Sequence, residues 1–337
     1  PADQSLLSQE ARLLRATVLI AQDELSEAGD LLTGDPEPSD RPQQIHMRYL
    51  RAQLIARNDK EKAIPSFQAI VEDPKPVPSL LLHSAQISLA ECLHQTGKSE
   101  DAIETLITLL DTHPRTTLLE AAFHRLLDWA STESLRKRVD EQLLLWVNFS
   151  APRDTPPKPD GGEIIVSPTT AARTGFALYH HALSLARKND TNSNKRAESL
   201  LAWLGANMPR HPFCSRALLE TAKLQIADQR KEEAILTLAQ LEKSASSTLL
   251  REEAGRLAAR LNFEKGDFTS AAAAFLRVRS SLPAAEEDVS AVNAGISLLR
   301  SGDGAGFRNL IESLDASETL ATLLLERALH QAARESG

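Results

Sequence analysis

The feature that most constrains this chain is a unit of roughly thirty-five residues that recurs along it. In residues 83–116 an apolar helical pattern leads to Gly97, and a second apolar helix then carries Ala102 and Leu106 and ends before Pro114. A second copy, residues 252–285, has the same residue types at the same offsets, at Gly266, Ala271, Phe275 and Pro283. Because one hairpin cannot bury its apolar face alone, this periodicity predicts a stack of helical hairpins.

The spacing of these residues resembles the tetratricopeptide repeat family. Counted from the glycine, a small residue comes five positions later, a large apolar residue four after that, and a proline eight further on. The pattern recurs, complete or in part, at Ala28 with Leu32, Ala63 with Phe67, Ala197 with Leu201 and Pro209, and Ala234 with Leu238. Adjoining copies are 35 to 39 residues apart, more than the family's usual repeat of about 34, so the repeats are divergent. The resemblance implies an all-α solenoid of about fourteen helices, wound as a right-handed superhelix.

Composition also indicates an all-helical chain. Leu, Ala, Glu and Arg, which are good helix formers, dominate, and aromatic residues are only 4%. No apolar run approaches the ~20 residues that a membrane-spanning helix needs, so no membrane span is predicted. The chain begins at Pro1 without an initiator Met or a signal-peptide pattern, which predicts a processed product or a region of a longer chain.

Charge is distributed unevenly between the two halves of the chain. Residues 1–150 hold 15 Lys and Arg against 23 Asp and Glu, a net charge of −8, and residues 151–337 hold 23 of each. Because binding to phosphates needs a basic stripe, the acidic N-terminal half predicts that nucleic acid is not a partner.

The patterns that would carry chemistry are incomplete. Cys92 and Cys214 belong to no CxxC or Cys–His cluster, so they are predicted to be buried or half-buried thiols. The glycines of residues 302–306 lack the Lys-Ser/Thr pair of a phosphate loop, which indicates a turn between helices. The first three oxygen positions of a calcium loop are matched at Asp190, Asn192 and Asn194. The Gly and Glu that complete such a loop are missing, so a polar loop is expected there. No catalytic, cofactor or metal site is predicted, and the chain is predicted not to be an enzyme.

The prolines predict how the chain is divided. Five of them lie between residues 151 and 170, where they prevent a helix and predict a stiff linker. We therefore expect an N-terminal helical array at 1–150 and a C-terminal array at 171–337. A last helix at about 317–334 is expected to cap the second array with an apolar face formed by Leu320, Leu323, Leu324 and Ala328.

A candidate binding groove follows from the resemblance. In tetratricopeptide arrays the first helix of each hairpin lines a concave groove through the second, fifth, ninth and twelfth residues of the unit. The candidate peptide-binding residues transferred to this chain are Arg216, Lys223, Ile226, Arg256, Arg260 and Phe263. Their four cations would hold an acidic or extended peptide through charge-assisted hydrogen bonds. The alternative is that these cations pair along their own helices with Glu220, Glu252 or Glu253.

Two classes of function stay open on the sequence. The first is a non-catalytic scaffold in a larger assembly, which binds a protein or peptide in its groove. The second is a regulatory or substrate-recruiting region of a larger enzyme or of a secretion or envelope machine. Two cysteines in 337 residues do not decide the compartment. By analogy with bacterial envelope proteins that carry divergent repeats, a periplasmic or envelope location is expected.

Overall fold

A computed structural model describes residues 2–33, 37–148, 169–279, 284–314 and 320–335. Within these ranges every regular element is an α-helix, and there are seventeen of them. The helices are α1 Ala2–Ala21, α2 Leu25–Thr33, α3 Arg41–Asn58, α4 Lys60–Val71, α5 Ser79–Gln95, α6 Ser99–Thr112, α7 Leu119–Trp129, α8 Glu133–Asn148, α9 Ala171–Ala186, α10 Thr191–Asn207, α11 Cys214–Ala227, α12 Lys231–Ser244, α13 Thr248–Lys265, α14 Phe268–Arg279, α15 Ala284–Ser301, α16 Gly304–Ser313 and α17 Leu320–Glu335.

The small and large residues of the repeat form its core. All six alanines that the spacing selects are buried, and so is the large apolar residue four positions after each of them. A small residue lets the neighbouring helix approach closely, and the large residue fills the space one turn later. Consecutive helices pack together as hairpins, for example α5 with α6 and α13 with α14. The predicted all-α fold of divergent, tetratricopeptide-like hairpins is therefore confirmed; the handedness of a superhelix stays a prediction.

About fourteen helices were expected, and the described residues form three more. These are α15, α16 and α17, which follow the end of α14 at Arg279. Of the residues predicted to form the apolar face of the last helix, Leu323 is 63% exposed, whereas Leu325 is fully buried. The reason lies in α15, where Gly295 leaves space for the Leu325 side chain; a Cβ at that position would collide with it. The prediction of Leu323 for that face was therefore wrong, while Ala328 is half-buried. The side chains of Leu320 and Leu324, and Pro283, lie outside the described residues.

Four of the six hairpin turns have a left-handed residue five positions before the small residue; at Ala63 and Ala197 the same position is a helical residue, Asn58 and Asn192. Gly97 and Gly266 have φ angles of 83° and 86°. The same position is occupied by Asp23 (φ 64°) before Ala28 and by Gln229 (φ 62°) before Ala234. Because the left-handed region disfavours a Cβ, these two turns are strained where the others are not. The backbone conformation of these four turns is therefore similar, although the residue type at the position differs.

The pattern at Asp190 is part of a helix. The Asp190 carboxylate accepts a hydrogen bond from the backbone N–H of Ser193 (2.9 Å) and caps α10, which begins at Thr191. Asn192 and Asn194 therefore lie in the first turn of α10 and not in a loop, so the expected polar loop was wrong. Of the glycines of residues 302–306, Gly302 forms the expected turn with a φ of 78°, whereas Gly304 and Gly306 lie in the first turn of α16, which Asp303 caps.

Arginines of the first half of the chain bind the ends of neighbouring helices. The last carbonyls of a helix have no partner within it and carry the negative end of its dipole. Arginines from other helices donate to carbonyls in or just after the last turns of α1, α2, α4, α6 and α7: Arg57 to Ile20, Arg12 to Leu31, Arg51 to Leu32, Arg48 to Ala69, Arg173 to Leu110, and Arg136 to Ala130. Much of the positive charge in this half therefore caps helices.

The contacts divide the chain into two units, Pro1–Ala177 and Leu178–Gly337. The first turns of α9 belong to the N-terminal unit, where the almost fully buried Arg173 binds Asp111 (2.9 Å) and lies over the ring of Trp146. The Trp146 indole N–H also donates to Asp111 (2.6 Å). Residues 151–168 of the predicted linker lie outside the described residues, so the division at 151–170 stays a prediction.

Candidate functional site

A pocket of about 640 Å³ lies between α13 and α15 in the C-terminal unit. We call it the α13–α15 pocket; it is lined by Glu253, Arg256, Leu257, Arg260, Phe263, Phe275, Glu286, Val289, Ser290 and Asn293. Arg256, Arg260 and Phe263 are spaced four and three residues apart, which places them on one face of α13. Three of the six predicted groove residues thus meet at one pocket. The other three, on α11, are not among its lining residues.

The floor and one wall of the pocket are apolar. Phe275, the large residue of its repeat, closes the floor, and Leu257 and Phe263 line the α13 side. Across from them, on α15, Val289 is 58% exposed. Ser290 fixes α15 over α14, because its hydroxyl donates to the Phe275 carbonyl (2.8 Å). The pocket can therefore hold an apolar group of a partner.

The helix behind the pocket is held close to α14 by a glycine. Gly255 faces Val278, and a Cβ at this position would collide with the Val278 methyl group. A β-branched side chain in a helix has few rotamers to escape such a contact. The position of α13, and with it that of Arg256, depends on this close approach.

The predicted cations have carboxylate or aromatic partners. Lys223 binds Glu220 (3.1 Å) and Glu253 (3.2 Å); burial lowers the pKa of Lys223, but these two carboxylates outweigh it and raise the pKa. Arg256 pairs with Glu286 across the two helices of the pocket. The alternative of pairing along the same helix therefore describes part of the Lys223 interaction, but not that of Arg256.

The two remaining α11 residues contribute to packing. Arg216 lies over the ring of Phe213, 5.0 Å from its centroid. Ile226 is half-buried and packs against the core that α11 shares with α12 and α13. Neither residue lines the α13–α15 pocket.

The cationic character of the pocket is concentrated at its Phe263 end. Arg260 is 3.7 Å from Glu264, but Glu264 lies closer to Lys231 (2.8 Å). Arg300 lies over the rings of Phe263 (5.1 Å) and Phe268 (5.4 Å). In the described part of the chain, no carboxylate lies within ion-pair distance of Arg300.

The residues that α15 contributes were not predicted from the sequence. These are Glu286, Val289, Ser290, Asn293 and the nearby Arg300. The repeat spacing itself could have found three of them. A further unit counted from residue 285 places Glu286, Val289 and Asn293 at the second, fifth and ninth positions. The signal was weak because Phe307 stands where the next small residue is expected, five positions after Gly302.

The N-terminal unit contains a smaller and more polar pocket. Its volume is about 310 Å³, and its lining includes Arg57, Glu91 and Cys92. Burial raises the pKa of the Cys92 thiol, which keeps it protonated and unreactive. Cys214, half-buried on α11, is also a free thiol. Over the described residues, no three His, Cys, Asp or Glu side chains are grouped as a metal site would require. No helix in the same ranges is both long and apolar enough to cross a membrane.

Comparison with known proteins gives structural neighbours only. No family model matches the sequence, and no curated protein does. Solved structures that are similar include a tetratricopeptide repeat protein from Parabacteroides merdae ATCC 43184, with 15% identity, a TM-score of 0.38, and coverage of 87% of this chain and 99% of that one.

Two further neighbours are subunits of complexes. Naa15/Naa10 with bound HypK-THB has 15% identity and a TM-score of 0.34, and the match covers 90% of this chain but only 47% of the other. The APC/C hetero-tetramer Cut9-Hcn1 has 14% identity and a TM-score of 0.21, with coverage of 97% and 85%. Similarity at these scores carries no argument about function. The chain is a divergent array of tetratricopeptide-like hairpins on the evidence of its own helices and buried repeat positions.

Proposed function

We propose that this chain is a non-catalytic binding scaffold that holds an extended segment of a partner protein in its C-terminal unit. The observation that carries the proposal is the α13–α15 pocket, an apolar cavity between two successive first helices. Pockets that bind peptides combine apolar contacts with a few placed polar groups. Here Phe263, Phe275 and Val289 supply the apolar contacts, and Arg256 and Arg260 supply the polar groups.

The exposed Val289 supports a binding role for the pocket. An isolated exposed aliphatic residue needs no explanation, but this one stands at the edge of a cavity with three further apolar side chains. Covering Val289 with a partner would remove its surface from water at about 25 cal/mol per Å² of apolar area. The ion pair of Arg256 with Glu286 crosses the same opening and would set the position of the bound chain.

The test uses a random library of twelve-residue peptides, acetylated and amidated at their ends, on the whole chain. Peptides selected on the natural protein are measured again on Val289→Asp, by fluorescence anisotropy. We expect the affinity to fall about tenfold or more, because a buried charge replaces an apolar contact.

The matched control is Leu236→Asp, which places the same charge on α12 at a leucine that is 72% exposed and does not line the pocket. This variant should bind the selected peptides with the same affinity as the natural protein. If the selected peptides bind both variants as they bind the natural protein, the α13–α15 pocket is not the binding site. Circular dichroism of both variants checks that the helices are intact.

A further inference from the structure

The two ends of the α13–α15 pocket differ in charge. Glu253 and Glu286 lie at the end where α13 and α15 begin, and both are already paired, with Lys223 and Arg256. Arg260 lies at the other end with Phe263, and Arg300, which is next to the pocket rather than in its lining, lies over the Phe263 ring. The pocket therefore has a neutralised acidic end and a cationic end.

The cations at the Phe263 end keep their capacity to bind an anion. Glu264, the carboxylate nearest to Arg260, is shared with Lys231, which is closer to it. Arg300 contacts the two phenylalanine rings, and stacking uses the face of a guanidinium while its N–H groups stay available. Both arginine side chains are exposed, so a carboxylate can reach them without being buried.

The cationic end of the pocket is close to its apolar part. Arg260 and Phe263 are three residues apart on α13, which corresponds to ~4.5 Å along the helix axis. An extended peptide advances ~3.3 Å per residue. A side chain anchored on Phe263, Phe275 and Val289 therefore brings the next one or two residues of the same peptide to the arginines.

We infer that the pocket selects a segment with a large apolar side chain and an Asp or Glu one or two residues away, whose carboxylate binds Arg260 and Arg300. This inference rests on the proposed function. The carboxylate is that of a side chain inside the segment, because both arginines are open to solvent and the peptide can continue past them. Arg216 and Lys223, which the sequence had grouped with Arg256 and Arg260, have no part in it.

The experiment is a positional scan of the amidated and acetylated peptides selected above, so that no terminal carboxylate contributes. Each position beside the apolar anchor is varied among Glu, Gln and Lys, and affinity is measured on the whole chain. We expect Glu to be preferred over Gln by about three- to tenfold at one position within two residues of the anchor, as expected for exposed charge-assisted contacts.

Two double variants decide whether the arginines cause that preference. Arg260→Gln with Arg300→Gln should bind the Glu and Gln peptides with equal affinity, so that the preference for Glu is lost. The control, Arg196→Gln with Arg210→Gln, removes the same charge at exposed residues outside the pocket and should keep the preference.

The outcomes separate the inference from the proposed function. If Val289→Asp abolishes binding but Glu is never preferred, or if both double variants weaken the Glu peptide equally, the carboxylate inference is overturned and the binding pocket stands. If no selected peptide depends on Val289, the proposed function fails and the inference fails with it. A preference for Lys would also overturn it.

Discussion

Single residues at the hairpin turns show how this chain departs from its own repeat. Gln229 adopts a left-handed conformation where other turns have glycine, and the adjacent Arg230 binds Glu198 (2.5 Å), Asp228 and Glu233. The hydrogen bonds that Arg230 donates to the Glu198 carboxylate above all raise the pKa of Arg230 and keep it charged. We infer that this cluster holds a turn whose central residue is unfavourable. The sequence predicts such turns only where glycine marks them, so the turns at Asp23 and Gln229 had no visible signal.

Replacing Gln229 with glycine should stabilise the chain. A left-handed non-glycine residue costs ~1–2 kcal/mol, of which the extra flexibility of glycine in the unfolded chain offsets part. We expect Gln229→Gly to raise the free energy of unfolding in urea by ~0.5–1 kcal/mol. Gln229→Val is the matched opposite, because a β-branched residue suits this region least, and it should lower that energy. Equal stability of the two variants would show that the turn is not strained.

A second residue gives the N-terminal unit a specific dependence on acid. Asp73 accepts hydrogen bonds from Arg48 (2.8 Å), from the Lys75 backbone N–H and from Arg41 (2.7 Å), and these lower the pKa of its carboxyl from 3.8 to about 2. A depressed pKa in the folded state stabilises the protein above the unfolded value, and this contribution is lost as the pH falls towards about 2.

We therefore expect the thermal midpoint of the natural protein to fall more steeply between pH 4 and pH 2 than that of Asp73→Asn. At neutral pH the variant should melt lower, because both arginines lose their anionic partner. The control is Asp59→Asn, which removes a carboxylate at the other end of the same helix, where Asp59 caps the start of α4. If Asp73→Asn and the natural protein show parallel midpoints over this range, Asp73 does not carry the dependence.

At the scale of helices, the buried small and large residues could be predicted from the sequence because their spacing is fixed by how closely two helices approach. The buried position of Leu325 on α17 could not, because it depends on Gly295, in a hairpin where Phe307 replaces the small residue of the repeat. The same distinction applies to the pocket. Its α13 residues follow from a clear repeat, and Val289 follows only from the weaker unit counted from residue 285, whereas Arg300 lies outside the groove positions of that unit.

The contact of α13 with α14 gives a prediction for packing. Gly255→Ala should lower the free energy of unfolding by ~1–3 kcal/mol, since its methyl group has no room beside Val278. In a Val278→Ala background the same substitution should cost much less, because the colliding methyl groups are gone. Urea unfolding of the four proteins measures the coupling. A cost of Gly255→Ala that is unchanged by Val278→Ala would mean that the two residues are not in contact.

At the scale of the whole chain, the two halves use their positive charge differently. In the N-terminal unit, arginines donate to carbonyls at helix ends, within a hairpin at Arg48 and Ala69 and between successive hairpins at Arg51 and Leu32. In both units cations meet carboxylates one repeat away, such as Arg138 with Glu104 and Arg277 with Glu242, but only in the N-terminal unit do the described residues add these arginine contacts to carbonyls of other helices. Net charge alone, −8 against zero, indicated the asymmetry but not this division of roles.

The burial of Arg173 has a consequence for anyone who wishes to express the N-terminal half alone. The proline-rich segment suggests that a fragment could end at residue 150. Such a fragment lacks Arg173, whose side chain binds the end of α6, neutralises Asp111 and covers Trp146. A fragment of residues 1–177 keeps it. We expect this longer fragment to melt roughly 3–8 °C above residues 1–150, and Arg173→Gln to remove part of the gain. Tryptophan emission would follow both transitions, and equal midpoints would show that the true end of the folding unit lies before the prolines.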